Sequence, residues 1–566
     1  MKKEILLIIS LLILTIPVLM PLFKEGYFPT QDYIYVARIY EMKVALDDGH
    51  FPVRWVKDFR NGEPLYNFYA PLPYYVGALI KFIPGFSYLM IIKILFGIGF
   101  IFSTITMYFL GRKLFGVLGG FLASIMYLYA PYHSVDVYVR GALSESWALI
   151  FFPLIFLTSL NLSEKRNVRN IAFLSLSLAG LFYTHNVMTL IFAPFIFGWM
   201  GYLTYKSRDN SLIKSFLISI LWGIGLAASF LMPAFFEKQF VKTDELTTGY
   251  FDFRGHFVAV RQWFSPFWGY GASLWGAKDD MSFQVGLSHW VVYGLSSLIL
   301  ILSLLSLKIS NFKFLISNEV QNYKTWKNNF LLFFVLTGFF IFSLFMMHNK
   351  SAFIWEWIDV LKFTQFPWRF LGISIFFISL LGGFFVYFLK ENLSKVFLLL
   401  LTLLLVLSNV SYFRPDSYYL DSVDDHYISQ KILSQDDKLP KDYLPVWVKR
   451  IRDEKLREPH FIEGSGVIKN YGYKTAFVSF DSIASGKSSV ETPVTYFPGW
   501  EVKVNGKKIE IEEPDQYGMV KVRLPEGDSN VVMRFKDSGV RVVSNLISIL
   551  SLIILTFVFI KKRKVI

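Results

Sequence analysis

The chain has 566 residues, 54% of them hydrophobic and 18% charged, with a formal net charge of +14 and a mean hydropathy of +0.44. That balance belongs to a polytopic membrane protein, and the positive charge does not call for a nucleic-acid partner, because the cations fall mainly in short loops where they set membrane orientation. With no cysteines, disulfides, thiolate zinc sites, iron–sulfur clusters and cysteine nucleophiles are excluded.

Apolar runs begin near Ile5, Leu89, Phe115, Leu143, Ile171, Val187, Leu212, Trp290, Phe330, Phe370, Val396 and Val543, which predicts about twelve spans of roughly 20 residues each. The first follows Met1-Lys2-Lys3-Glu4 as a signal peptide would, but Leu19 to Lys24 offers no small-residue cleavage site, so it reads as a retained anchor. If Lys2 and Lys3 are cytoplasmic, so are Arg112/Lys113, Lys165/Arg166/Arg169, Lys206/Arg208, Lys308 to Lys327, Lys390/Lys395 and Lys561 to Lys564, as the positive-inside rule asks. Both termini are then cytoplasmic, and the large loops at 24–87 and 237–288 face outward. Residues 1–410 read as a transmembrane domain, 411–541 as an extracytoplasmic region, and 542–566 as a last helix with a basic cytoplasmic tail.

Beyond Asn409 the chain is polar to about Pro459 and then alternates as strands do. Trp500 to Val504 and Lys507 to Ile511 flank Asn505-Gly506, a preferred two-residue hairpin turn. Met519 to Leu524 and Asn530 to Phe535 read as a second pair around Pro525 to Asp528, giving a small β-sandwich at about 469–536.

Ionisable residues crowd the first large loop: Asp32, Arg38, Glu41, Asp48, His50 and Arg54. Charges at the membrane surface of so apolar a protein are costly to bury and are usually kept for work. Transfer of a sugar from a phosphate leaving group needs a carboxylate to take the acceptor proton and cations to stabilise the departing phosphate. Asp32, about ten residues beyond the first span, and Arg54 or Arg38 have those identities. Arginines can neutralise phosphate by bidentate bonding, so a metal is not required.

Each residue also has a plainer reading. Asp32 could cap the helix expected near Tyr33, Arg54 could snorkel beside Trp55, and Arg140 could pair with Glu145 about one turn away. His185-Asn186 sits in a turn where a hydrogen-bonded histidine is common, and Arg369 could snorkel or grip a lipid phosphate. The second large loop offers Arg254, His256, Arg261, Asp279, Asp280, Gln284 and His289. The eight histidines scatter without a zinc-like cluster.

The order of a first helix, an early Asp, Gly49-His50-Phe51-Pro52-Val53-Arg54-Trp55 and Asn67-Phe68-Tyr69-Ala70-Pro71-Leu72-Pro73-Tyr74-Tyr75 resembles GT-C-type integral membrane glycosyltransferases, and more closely their branch of 6-pyruvoyl-tetrahydropterin synthase-related membrane proteins. Asp136 to Glu145, Ser265 to Gly271, Met281 to Gly286 and Gln365 to Phe370 match as well, while Tyr496-Phe497-Pro498-Gly499-Trp500 through the final helix is similar to the end of YfhO-like membrane proteins. The resemblance implies a GT-C-like helical domain, a polyprenyl-phosphate-linked sugar donor, a glycan, lipid or protein acceptor, and inverting transfer on the extracytoplasmic face. It also implies a catalytic Asp or Glu in the first external loop, a position that Asp32 matches best; loop charge and this likeness together give Asp32 as general base, Arg54, Arg140 and Arg369 as candidate phosphate ligands, and Arg38, Glu41, His50, Glu145, His185, Arg261, Gln284 and His289 as further site candidates. Gln31 stands where GT-C loops often carry a second acid, so no metal pair and no cofactor are expected. Pterin chemistry, which belongs to a soluble zinc enzyme, is not implied. Two other classes fit parts of the chain: a transporter or flippase of lipid-linked sugars, which would need charges along a membrane path, and a non-catalytic scaffold presenting the β-domain.

Overall fold

Nine helices among the described residues are long and apolar enough to cross a membrane, or ten if Ser211–Leu226 and Ala228–Phe236, bent by 78°, make one span. The chain is therefore a multi-pass helical membrane protein. The computed structural model describes residues 2–275, 279–306, 316–317, 322–429, 432–433, 441 and 443–560. The expected cytoplasmic cations Lys561 to Lys564, and most of the Lys308 to Lys327 stretch, lie outside the described residues.

The count differs from about twelve for two local reasons. The runs beginning at Leu89 and Phe115 are counted once within Tyr88–Leu128, although a break at Gly116, where φ is 70°, divides that stretch into the two helices expected. The chain doubles back there: a Cβ on Gly111 would lie 2.9 Å from the Cα of Gly120. The run near Ile171 forms Val168–Thr184, 17 residues, shorter than the full spans.

The chain forms two compact units: Met1–Tyr33, Lys93–Gly223 and Thr247–Ser422 in the first, and Ile34–Ile92, Ile224–Leu246 and Val423–Ile566 in the second. This partition cuts across the boundaries at 410 and 541 read from composition.

In the first unit, Leu371–Phe388 is apolar all round and almost wholly buried, as such a helix must be. Phe376 packs edge-on against Phe152, Phe156 and Phe192, and Phe152 stacks on Phe192 at 3.9 Å. This seam joins Leu143–Glu164, with Glu145 in its first turn, to Leu371–Phe388, which follows the turn Pro367–Phe370 that carries Arg369.

In the second unit the β-region is a sandwich of eight strands: β1 (His460–Glu463), β2 (Gly466–Lys474), β3 (Phe477–Ala484), β4 (Ser488–Thr495), β5 (Trp500–Val504), β6 (Lys507–Ile509), β7 (Met519–Leu524) and β8 (Gly527–Phe535). One sheet runs β1-β4-β7 and the other β2-β3-β8-β5-β6. The expected hairpin at Asn505-Gly506 is present, with φ of 50° and 78° at the two turn residues. The second expected pairing is not: β7 pairs with β4, while β8 pairs with β3 and β5. Pro525 to Gly527 carries the chain from one sheet to the other instead of folding a hairpin. Trp55 and Phe68 from the first loop enter the sandwich core beside Phe497, Trp500 and Phe535, with Trp55 at 5.2 Å from the Phe535 ring. Residues 34–87 of the first loop are thus part of this domain, which explains the interleaved boundaries.

Candidate functional site

In the first unit the segment Val135–Val139 takes a π-helical turn, a rare geometry that often marks functional positions. Gly141 then breaks the path with φ 68° before the helix Leu143–Glu164 begins. Asp136, Arg140 and Glu145 are thereby folded into one buried cluster. Arg140 Nη1 lies 2.5 Å from Asp136 Oδ1, and its Nη2 lies 2.9 Å from Glu145 Oε2. Arg369 Nε approaches the same Glu145 oxygen at 3.3 Å, and the Tyr132 hydroxyl donates to Oε1 at 2.6 Å. Glu145 sits in the first helical turn, where the helix dipole favours an anion.

Two carboxylates and two guanidiniums balance here, as buried charges must. Arg140 lies over the Trp368 ring at 4.5 Å, and Arg369 donates to Thr364 O and Gln365 Oε1. Asp136 Oδ2 is buried without a hydrogen-bond partner. Burial, and then the charge of Glu145, holds the Asp136 carboxyl well above the usual range against the pull of Arg140. His185 caps the helix Asn186–Ser207 by accepting from Met188 N. Burial pushes its pKa down to about 3, with Glu145 opposing and Arg369 and Arg140 reinforcing, so the imidazole is neutral near pH 7.

Asp32 is bound to this cluster through main chain. Gln31 N donates to Val139 O at 3.0 Å and Asp32 N to Arg140 O at 2.8 Å. The approach is so close that a Cβ on Gly141 would lie 2.5 Å from Thr30 Oγ1 and 2.6 Å from Asp32 O. Only glycine fits. Asp32 does not cap the next helix, Tyr35–Asp47, whose N-cap is Ile34 without a side-chain bond.

The second-loop candidates have their own partners. His289 Nε2 pairs with Met126 O at 2.7 Å, and Gln284 Nε2 reaches Phe267 O at 3.5 Å. Arg261 is exposed at the rim of a cavity in that loop. Exposed Arg254 pairs with half-buried Asp252 and exposed Glu356.

The other first-loop candidates belong to the second unit. Arg54, 2% exposed, donates to Asn67 Oδ1, Ser229 O and Asn545 Oδ1, with Nε 3.3 Å from Asp537. Arg38 lies over Tyr69 at 4.0 Å. Glu41 Oε2 accepts from Lys57 N and Asp58 N, and burial followed by Asp58 raises its pKa. Burial lowers the His50 pKa to about 4.

Three important charges escaped the sequence reading of site residues. Asp136 lies in a stretch that resembles the family but carries no local sign of a site role. Arg541 and Glu237 form a buried pair at 2.9 Å across 304 positions, which no local pattern reveals.

These features define a polytopic membrane protein with a buried ionic centre in one unit and, in the other, a β-sandwich ahead of the last helix. Residues 66–415, more than half of the chain, match the family described as "6-pyruvoyl-tetrahydropterin synthase related domain; membrane protein", and the chain belongs to that family. Residues 465–548 match "Bacterial membrane protein YfhO". An uncharacterized protein of Lactococcus lactis subsp. cremoris is 26% identical over 238 residues, spanning 40% of this chain and 38% of the relative, well under two thirds of that relative's length. The crystal structure of ArnT from Cupriavidus metallidurans bound to undecaprenyl phosphate is similar over 68% of this chain and 78% of that one, with 10% identity and a TM-score of 0.33.

Proposed function

We propose that this chain is a GT-C-type glycosyltransferase that moves a sugar from a polyprenyl-phosphate donor to a cell-envelope acceptor on the extracytoplasmic face, with inversion. The observation that carries the reading is the attachment of Asp32 to the segment bearing Arg140, by the Asp32 N to Arg140 O bond of 2.8 Å. That bond joins the backbone of half-buried Asp32 to the segment that carries Arg140, and Arg140 and Arg369 share Glu145. Asp32 takes the proton of the acceptor hydroxyl as that oxygen attacks the anomeric carbon; the bond from that carbon to the donor phosphate oxygen breaks, and phosphate departs as an anion. Arg140 and Arg369, both on Glu145, receive that anion by charge-assisted bonds. Arg54 takes a bracing role, since its guanidinium engages Asn67, Ser229, Asn545 and Asp537. Glu145 and Arg369 lie at the beginnings of their helices and not at mid-span, which favours chemistry at the membrane surface over transport through it.

The test is Asp32→Asn, assayed in membranes with a radiolabelled polyprenyl-phosphate sugar and an extract of acceptor glycans from cells lacking the chain. Transfer should fall by about 10²–10⁴-fold with insertion and melting unchanged. Full transfer by this variant would remove the assignment of the base.

A further inference from the structure

The second loop of the first unit holds a cavity that this chemistry leaves unused. Its volume is about 330 Å³, and the short helix Val260–Phe264 forms one wall. Gln262, Asp279 and Ser282 supply its polar groups, Phe267 and Phe283 its rings, and Arg261 stands at its rim.

The polar groups are held in place before any ligand arrives. Asp279 Oδ2 accepts from Gln262 Nε2 at 2.8 Å, and Oδ1 accepts from Leu274 N at 3.0 Å and Ser273 Oγ at 3.3 Å. Ser273 Oγ is 2.8 Å from His256 Nδ1, whose other nitrogen is fixed on Tyr250 O at 2.6 Å. Gln262 Oε1 in turn accepts from Ala259 N at 2.8 Å. Carboxylate and amide therefore cannot swing. Counting donors and acceptors, a lone pair of Asp279 Oδ2 and the second N–H of Gln262 remain side by side. An adjacent acceptor and donor suit two neighbouring hydroxyl groups.

Size narrows the ligand. At about 30 Å³ per water, the cavity has the capacity of about eleven waters, which is room for one sugar ring with part of its hydration. A polyprenyl chain exceeds it. Phe267, 49% exposed, and Phe283 offer flat apolar faces beside these polar groups, the mixture that orients small ligands. Phe283 packs on Trp368 at 5.8 Å, and Trp368 lies against Arg140, so the cavity adjoins the ionic cluster.

We propose that this cavity binds a single monosaccharide ring, with Asp279 and Gln262 on neighbouring hydroxyls, the two phenylalanines against its C–H face, and Arg261 beside an anionic substituent. The inference takes its purpose from the glycosyl-transfer reading, but the binding itself needs no donor lipid. The experiment uses the full chain in nanodiscs, titrated with glucose, N-acetylglucosamine, glucuronate and inorganic phosphate and followed by saturation-transfer NMR.

At least one sugar should bind in the millimolar range, and Asp279→Asn should weaken it by about tenfold or more. Phe267→Ala, at an exposed position, should weaken it by about fivefold with an unchanged melting temperature, and decides the matter if Asp279→Asn fails to fold. Absence of binding by all three sugars overturns the proposal, as does binding indifferent to Phe267→Ala, or phosphate binding as tightly as any sugar. Asp32→Asn separates the two readings. Sugar binding with transfer undiminished in that variant defeats the general-base reading alone, whereas Asp32-dependent transfer without sugar binding defeats the cavity alone.

Discussion

Two of the buried ionic networks among the described residues, one in each compact unit, are built to different ends. In the second unit Arg541, fully buried, lies on Glu237 at 2.9 Å, donates to Pro498 O, and stacks near Phe497 and Phe535. Glu237 is itself saturated, since Ser538 donates to Oε1 and Asn67 to Oε2. In the first unit two guanidiniums share one Glu145 oxygen, Asp136 Oδ2 is buried without a hydrogen bond, and Arg140 and Arg369 retain 8% and 12% exposure. A saturated network fixes a fold, whereas one with bonding capacity left over can take in another ion.

The largest effect should come from breaking the saturated network. Arg541→Ala leaves Glu237 buried without its cation and should cost about 3–5 kcal/mol, read as a lower melting temperature and early proteolysis of the β-domain. Arg541→Lys should rescue little, because an ammonium cannot reproduce the guanidinium fork that meets Glu237, Pro498 O and Lys536 O together. A melting temperature within a degree or two of wild type for Arg541→Ala would erase the contrast between the networks.

The second unit should also carry a pH signature. His50 packs near Phe535 at 6.3 Å, and burial lowers its pKa to about 4 from 6.5. The unfolded chain binds the proton first as pH falls, so the stabilisation is complete above pH 6.5 and is lost as pH drops through 4, on the order of 3 kcal/mol in all. His50→Gln should flatten the melting-temperature profile between pH 7 and 4; an unchanged slope would remove His50 as its source.

The same contrast explains what could be read from the sequence. Patterns confined to one segment were legible: spans from their hydropathy, the Asn505-Gly506 hairpin from its turn residues, and the Arg140 and Glu145 pair from spacing. Partners chosen across the chain were not. Arg54 looks like a membrane-surface cation until Asn545 and Asp537, nearly the whole chain away, are seen to meet it. β7 and β8 look like a hairpin because adjacency is visible in sequence and sheet membership is not. Likewise Trp55 gives no local sign that its ring belongs among those of Phe497, Trp500 and Phe535.

A smaller effect is expected where the first network has slack. Asp136→Asn keeps the volume and leaves Arg140 on Glu145, exchanging one charged hydrogen bond for a neutral one, so the cost should be about 1–2 kcal/mol. The variant also fixes position 136 as neutral, so that Arg140 and Arg369 face the single charge of Glu145 at every pH. Binding of a polyprenyl phosphate should then tighten while the melting temperature falls only slightly. A loss as large as that of Arg541→Ala would mean that both networks are equally closed.

The smallest effect calibrates the others. Gly506 holds φ 78° in the β5–β6 turn, and a Cβ there would meet nothing within 4 Å. Gly506→Ala therefore carries a conformational cost without a clash, about 1 kcal/mol. It weakens the second unit without touching Arg54, Arg541, Glu237 or His50. Transfer measured well below its melting temperature should match wild type, and the pH profile set by His50 should keep its slope. If transfer instead declined in step with this mild loss, general destabilisation of the second unit would account for any activity lost in Arg541→Ala, and only variants in the first network could speak to chemistry.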